Sequence, residues 1–206
     1  MALNSYSDLT SSVSNWLDRT DLDTVVPDFV SMAEAGFQRI IRNRKMLIRV
    51  NATIDSQYST LPSDFLEMKA ISLQVDPLVS LEYKTPQGID ELSGQYRTQA
   101  APRFYSIIKD YIEVLPVPET TYTIEMLYYQ KIPSLSSATS NWLLEDAPDL
   151  YLYGSLRQAA PYLNEDERLP VWENLYSQRV LELEAANQAS TKSGTALTMN
   201  FTSPGS

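Results

Sequence analysis

The hydrophobic period of this chain changes twice, from helical spacing to strict alternation near Arg49 and back to helical spacing near Asn141. That order restricts the fold to helices on either side of a sheet. In the first stretch Tyr6, Leu9, Val13, Trp16 and Leu17 fall on one helical face, and Ser5 with Asp8 three positions on has capping-box spacing. A second helix is predicted from about Pro27, a residue favoured at the first helical position, to about Asn43. Its stripe is Val26, Val30, Ala33, Phe37 and Ile40, so the two helices should pair as a hairpin.

In the middle third "VNATI", "LEMKAISLQV", "LVSLEY", "RFYSII", "YIEVLP" and "TYTIEMLYY" alternate apolar with polar residues and are rich in Val, Ile, Thr and Tyr. They read as about six half-buried antiparallel strands in a small meander. Lys109-Asp110 suits a two-residue hairpin turn, and "TPQGIDELSG" a short helix or turn starting at Pro86. After the Pro- and Ser-rich link 131–141, Asp146, Pro148 and Asp149 mark a helix start, with Asp146 as its cap. Asn164 and Glu167 repeat the cap spacing for a last helix carrying Leu169, Trp172, Tyr176 and Leu183, with Pro170 kinking it or pushing its regular start past 168. From Ala189 the chain is Ser-, Thr- and Gly-rich, with Leu197, Met199 and Phe201 as its apolar anchors. Left alone it could not offset its ordering entropy.

The expected class is therefore α+β. Residues 1–47 form a helical hairpin, 48–131 a β-rich domain, 132–187 a second hairpin completing a bundle with the first, and 188–206 an extended arm.

Two absences bound the chemistry. Without cysteine there is no disulfide, thiol nucleophile or thiolate metal site, and without histidine the commonest general base and transition-metal ligand are missing. Carboxylates, Ser, Lys and Tyr remain. The acidic groups Glu145/Asp146/Asp149 and Glu165/Asp166/Glu167 sit at predicted helix starts, where acids are favoured without any catalytic purpose. Asp18, Asp21 and Asp23 lack the alternating oxygens and turn glycine of a calcium loop. No nucleophile elbow, phosphate loop, dinucleotide fingerprint or zinc pattern occurs, and Gly154-Ser155 lies inside a helical run. The reading is no catalytic residue, no metal and no cofactor.

A net charge of −10 opposes adhesion to phosphate or anionic membrane. The amino-terminal stretch has neither a basic region nor an unbroken apolar run, so no signal peptide or anchor is expected, and the chain reads as soluble. Arg39, Arg42, Arg44, Lys45 and Arg49 nevertheless fall within eleven positions free of acid. They are placed either to complement a helix C-terminus or to form a contact patch.

In "EDAPDLYLYGSLRQAAPYL", residues 145–163, Leu152, Leu156, Ala159 and Leu163 recur as a core stripe. Tyr151, Ser155, Gln158 and Tyr162 form a second face. With Arg157 beside it, this face is read as a protein contact surface.

The run "KIPSLSSATSNWLLEDAPDLYLYGSLRQAAPYLNEDERLPVWENLY" (131–176) and "YSTLPSDFLEMKAISL" (58–73), in the order hairpin, β-region, hairpin, polar tail, resemble the head-to-tail adaptor, or connector, proteins of tailed phages. The likeness is to the short-tailed phage tail tubular A group and covers most of the chain. It implies a structural neck subunit, twelve copies in a ring beneath the portal protein, helices docked on the portal and the β-part toward the tail nozzle or tail tube protein. It also implies double-stranded DNA passing through the lumen without sequence-specific binding, no membrane, and a C-terminal arm (Leu197, Met199, Phe201) extended along the portal. An acidic lumen wall would repel phosphate. Tyr151, Arg157 and Tyr162 are the expected portal or subunit contacts. The alternative is a tail-associated glycan-binding or glycan-cleaving protein using Trp142, Trp172 and the tyrosines with Glu145 and Glu165.

Overall fold

The computed structural model describes residues 3–163 and 167–192. Along them run α1 (Tyr6–Leu17), α2 (Val26–Ile40), β1 (Leu47–Ile54), β2 (Tyr58–Thr60), β3 (Phe65–Leu73), β4 (Val79–Ser80), β5 (Glu82–Tyr83) and α3 (Pro86–Ser93). β6 (Phe104–Ile108), β7 (Tyr111–Leu115), β8 (Tyr122–Gln130), α4 (Trp142–Asp146), α5 (Pro148–Gln158) and α6 (Leu169–Lys192) follow. The fold is α+β and divides into two compact units: residues 45–132, and the chain on either side of them.

In the helical unit, α1 starts where the capping box places it. The Asp8 N–H donates to Ser5 Oγ (3.2 Å) and Ser5 Oγ donates to the Asp8 carboxylate (2.8 Å). Asp18 ends the helix in the left-handed region, φ 54°. Leu9, Val13 and Leu17 are buried, but Trp16, expected on the same stripe, is 45% exposed and lies edge-on to Tyr153. Pro27 sits in the first turn of α2, whose buried residues include Val26, Phe29, Val30, Ala33 and Phe37. That helix stops at Ile40, short of Asn43, and Ile40 is exposed with Met32 one face round.

α5 touches α1, α2, α4 and α6. Leu150, Tyr151, Leu152, Gly154, Ser155 and Leu156 are all buried, so it has no clear polar face. Gly154 permits its approach to α2: a Cβ there would lie 2.9 Å from Phe37 Cζ. Asp146 does not cap this helix. Asn141 is the cap instead, its Oδ1 accepting from the N–H groups of Leu143 (3.1 Å) and Leu144 (2.9 Å) to start α4, and α5 then begins on Pro148 without a side-chain cap. α6 starts at Leu169 with Pro170 in its first turn and buries Trp172 and Tyr176. Ion pairs Arg157–Glu173 (3.0 Å) and Arg179–Asp149 (2.7 Å) fasten it to α5. Residues 188–192 continue α6 where an extended arm was expected. The remainder of that arm, with Leu197, Met199 and Phe201, lies outside the described residues, as does Asn164.

The β unit is not a meander. Its strands form two four-stranded sheets, ordered β1-β8-β3-β4 and β2-β7-β6-β5. β8 is central in the first: Ile124, Met126 and Tyr128 point into the core with Ile54, Ile71, Leu73, Ile112 and Val114, while Glu125 and Tyr129 alternate outward. β6 and β7 form the predicted hairpin, Ile108 opposite Tyr111, with Lys109 at φ 56° in the two-residue turn. α3 begins at Pro86, with Thr85 Oγ1 accepting the Gly88 N–H at 3.2 Å. Because α3 intervenes, β5 meets β6 in parallel, the one pairing of that kind among the described strands.

Tyr128 Oη donates to Asp64 at 3.0 Å, and burial followed by that bond pushes its hydroxyl up to about 12 from an ordinary 10.0. The folded state holds this proton more tightly than the unfolded chain, so the contribution is complete below pH 10 and is lost as pH rises towards 12. Circular dichroism across this window should show stability falling, and Tyr128→Phe should flatten the fall. Gly154→Ala should cost about 1–3 kcal/mol in denaturant unfolding by overpacking Phe37.

Candidate functional site

Tyr151, expected on a contact face, is instead wholly buried. Its ring lies edge-on to Phe37 at 5.0 Å, and its hydroxyl joins a polar network inside the helical unit. Asn141 Nδ2 donates to Tyr151 Oη (2.7 Å) and to the Pro133 carbonyl (2.7 Å), while Tyr151 Oη donates to Glu34 Oε1 (3.3 Å). Glu34 also accepts from Ser134 Oγ (2.6 Å) and the Leu135 N–H (2.8 Å). Burial, above all, raises the Tyr151 hydroxyl far above its ordinary range, so it acts as a permanently protonated donor.

Tyr162 does not share a face with Tyr151. α5 ends at Gln158, and Tyr162 belongs to a separate 3₁₀ turn, Ala160–Tyr162, containing Pro161. The helical periodicity that would align the two residues ends at that break. Tyr162 is exposed on one side and set edge-on to Phe29 at 5.3 Å on the other. Ser155, placed on the same face, is buried as well. Arg157 is used within the unit: beyond its pair with Glu173, its guanidinium lies 4.4 Å from the Tyr176 ring centroid.

The basic run serves separate purposes. Arg42 Nη1 donates to the carbonyls of Gln38 (3.0 Å) and Ile41 (2.7 Å), finishing α2. The Arg44 N–H donates to Asn187 Oδ1 (3.0 Å), and Asn187 Nδ2 donates to the Arg42 carbonyl (2.9 Å), fixing α6 to the end of α2. Arg49 pairs across β1 and β8 with Glu125 at 2.5 Å, and Lys45 opens the β unit. Arg39 is different. Without an ion-pair partner among the described residues, it rims a hollow of about 320 Å³ between α2, α5 and α6, with Gly36, Phe37, Gly154, Arg157 and Tyr176.

Gly36 was not singled out from the sequence. It sits mid-helix, where glycine costs about 1 kcal/mol relative to alanine, yet a Cβ there would meet nothing within 4 Å. Met32 and Ile40, four residues to either side, are 44% and 45% exposed. The signal was present as Met-x-x-x-Gly-x-x-x-Ile, but Ile40 was counted into the core stripe.

The acids at helix starts have local partners: Glu145 accepts from Ser140 Oγ (3.1 Å), and Asp149 accepts the Leu150 N–H (3.0 Å) and pairs with Arg179. Glu165 and Asp166 lie outside the described residues. Among the described residues no group of three or more acids could hold a metal ion, and no helix is long and apolar enough to cross a membrane. Of the glycan-stacking candidates Trp172 is buried and Trp142 half-buried.

The family model for the SU10 adaptor protein matches residues 4–199. The chain belongs to the SU10 adaptor protein family. Membership makes it a structural phage adaptor, implies a place in the virion and association with portal and tail components, and agrees with the head-to-tail adaptor resemblance read from the sequence. No curated protein matches the chain.

In this adaptor the Tyr151 network should behave as core. Tyr151→Phe leaves Asn141 and Glu34 short of a partner and should cost about 1–3 kcal/mol in denaturant unfolding. Tyr162→Ala should cost less than Tyr151→Ala, for which about 3–5 kcal/mol is expected.

Proposed function

We propose that the chain is a ring-forming subunit of the phage neck, twelve copies of which join the portal protein to the tail nozzle or tail tube protein and line the channel for double-stranded DNA. Its work is mechanical: it binds two partners and its own copies, with no chemical step and no cofactor. The observation that carries this reading is the adaptor-family match over residues 4–199. An acid excess of 26 Asp and Glu against 16 Lys and Arg supports the conduit, because a wall of like charge lets DNA slide without condensing on it. The described surface is consistent with docking by repeated contacts of modest strength, and the segment 193–206 is assigned to the portal as an arm.

Native mass spectrometry of the full chain mixed with the portal ring of its phage tests this directly. Twelve added copies are expected. Another number overturns the stoichiometry, and no binding overturns the adaptor reading. Removing 193–206 should reduce portal docking at least tenfold while leaving the thermal unfolding curve in place. Docking at full strength would remove the arm from the proposal. At physiological salt the free chain should not retard double-stranded DNA in a gel.

A further inference from the structure

The helical unit carries two surface features that the packing among its described residues does not use. One is the hollow at Gly36: a mid-helix glycine with open space above it, Met32 and Ile40 exposed at either side, and two guanidiniums, Arg39 and Arg157, at the rim. Glycine is the residue that lets another backbone approach closely, and among the described residues nothing makes that approach. The other feature lies on α6. Val171, Asn174, Gln178, Leu181, Ala185 and Gln188 recur at three- and four-residue steps, are all exposed and carry no charge. Leu181, at 65% exposed, is the largest apolar projection of that seam near the middle of the helix. Buried Trp172 and Tyr176 mark the opposite side of α6.

We propose that the hollow receives α6 of a second copy, with Leu181 over Gly36 and Glu184 against Arg39. This rests on the ring reading and assigns its lateral contact. Three observations select a second copy as occupant. The hollow is basic at its rim and the seam is flanked by acids, Glu182 and Glu184; Glu182 is taken by Arg179, whereas Glu184, like Arg39, has no ion-pair partner among the described residues. Gly36 and Arg39 are three residues apart, as are Leu181 and Glu184, so two helices running in the same sense make both contacts at once. Finally, hole and knob are different surfaces, so the contact is head-to-tail, the kind that closes into a ring when the rotation permits.

The chain has no cysteine, so Gly36→Cys and Leu181→Cys can be introduced singly and together in the full-length protein. Neither should disturb folding, since one fills open space and the other replaces an exposed side chain. Oxidised in the assembled state, free at high concentration or on the portal, the double variant should give a ladder of linked multimers without reductant. Each single variant should stay unlinked. A dimer from either single variant would mean that like surfaces meet, and overturns the contact. Assembly at normal copy number without a 36–181 link overturns it too, while leaving the ring reading intact; failure of copies to assemble under either condition sinks both. In the monomer, Gly36→Cys should react freely with a maleimide, and protection there would show that the chain's own segment fills the hollow. Arg39→Glu should weaken assembly at least tenfold, and adding Glu184→Arg to the same chain should restore it; no change from the first substitution, or no rescue by the second, removes the ion pair from the proposal.

Discussion

Glu34 is the point on which the helical unit depends. That unit is made from two stretches of chain separated by residues 45–132, and the chain must return to α2 in one register after leaving it. The carboxylate of Glu34 accepts from Ser134, Leu135 and Tyr151, all from the returning stretch. A partly buried carboxylate is costly unless its lone pairs are satisfied, so mispositioning the return strands a charge. Asn141 extends the same network, holding Tyr151 and Pro133 with its amide nitrogen and starting α4 with its oxygen. Packing then follows: Phe37 against Tyr151, Gly154 against Phe37, and α6 against α5 through two ion pairs.

Local signals in the sequence are legible because their physics is local. The Ser5–Asp8 box, Pro27, Pro86, the Lys109-Asp110 turn and the late start of α6 each depend on residues within a turn of one another. The errors came where distant partners decide. Alternation in β8 shows that one face is buried, but not that its neighbours are β1 and β3 rather than β7. β2 has three residues and β5 two, too short for any period to register. Asn141 ends a Ser- and Pro-rich link that reads as a connection, although an asparagine before "WLLED" carries the same capping signal as Ser5.

The candidate site was less legible than the fold, for a related reason. A single helical wheel across 151–162 places Tyr151 on a surface with Tyr162, but the helix breaks between them. Aromatic content is also ambiguous: a tyrosine can end in water or in a buried hydrogen bond, and here Asn141 and Glu34 supply the bond. Conversely, Gly36 looked unremarkable because the sequence shows what a helix contains and not which side another element covers.

With Tyr151 in the core, the contacts proposed between copies fall to other residues, and the charge balance limits which can bear them. Copies carrying −10 repel each other, and at physiological salt that repulsion is screened beyond about 8 Å. An approach to contact therefore requires opposite charges placed where the surfaces meet. Most cations of the helical unit are already committed: Arg19 to Asp21, Arg42 to the end of α2, Arg157 to Glu173 and Arg179 to Asp149. Arg39 and the Arg44 guanidinium have no ion-pair partner among the described residues, and Arg39 lies beside a glycine whose helical cost no contact among the described residues explains. A residue that destabilises the free subunit while opening a space next to an unpaired cation is what an assembly contact would select. In the proposed ring, mutual repulsion would keep free copies apart, and one local complementarity, repeated from copy to copy, would join them.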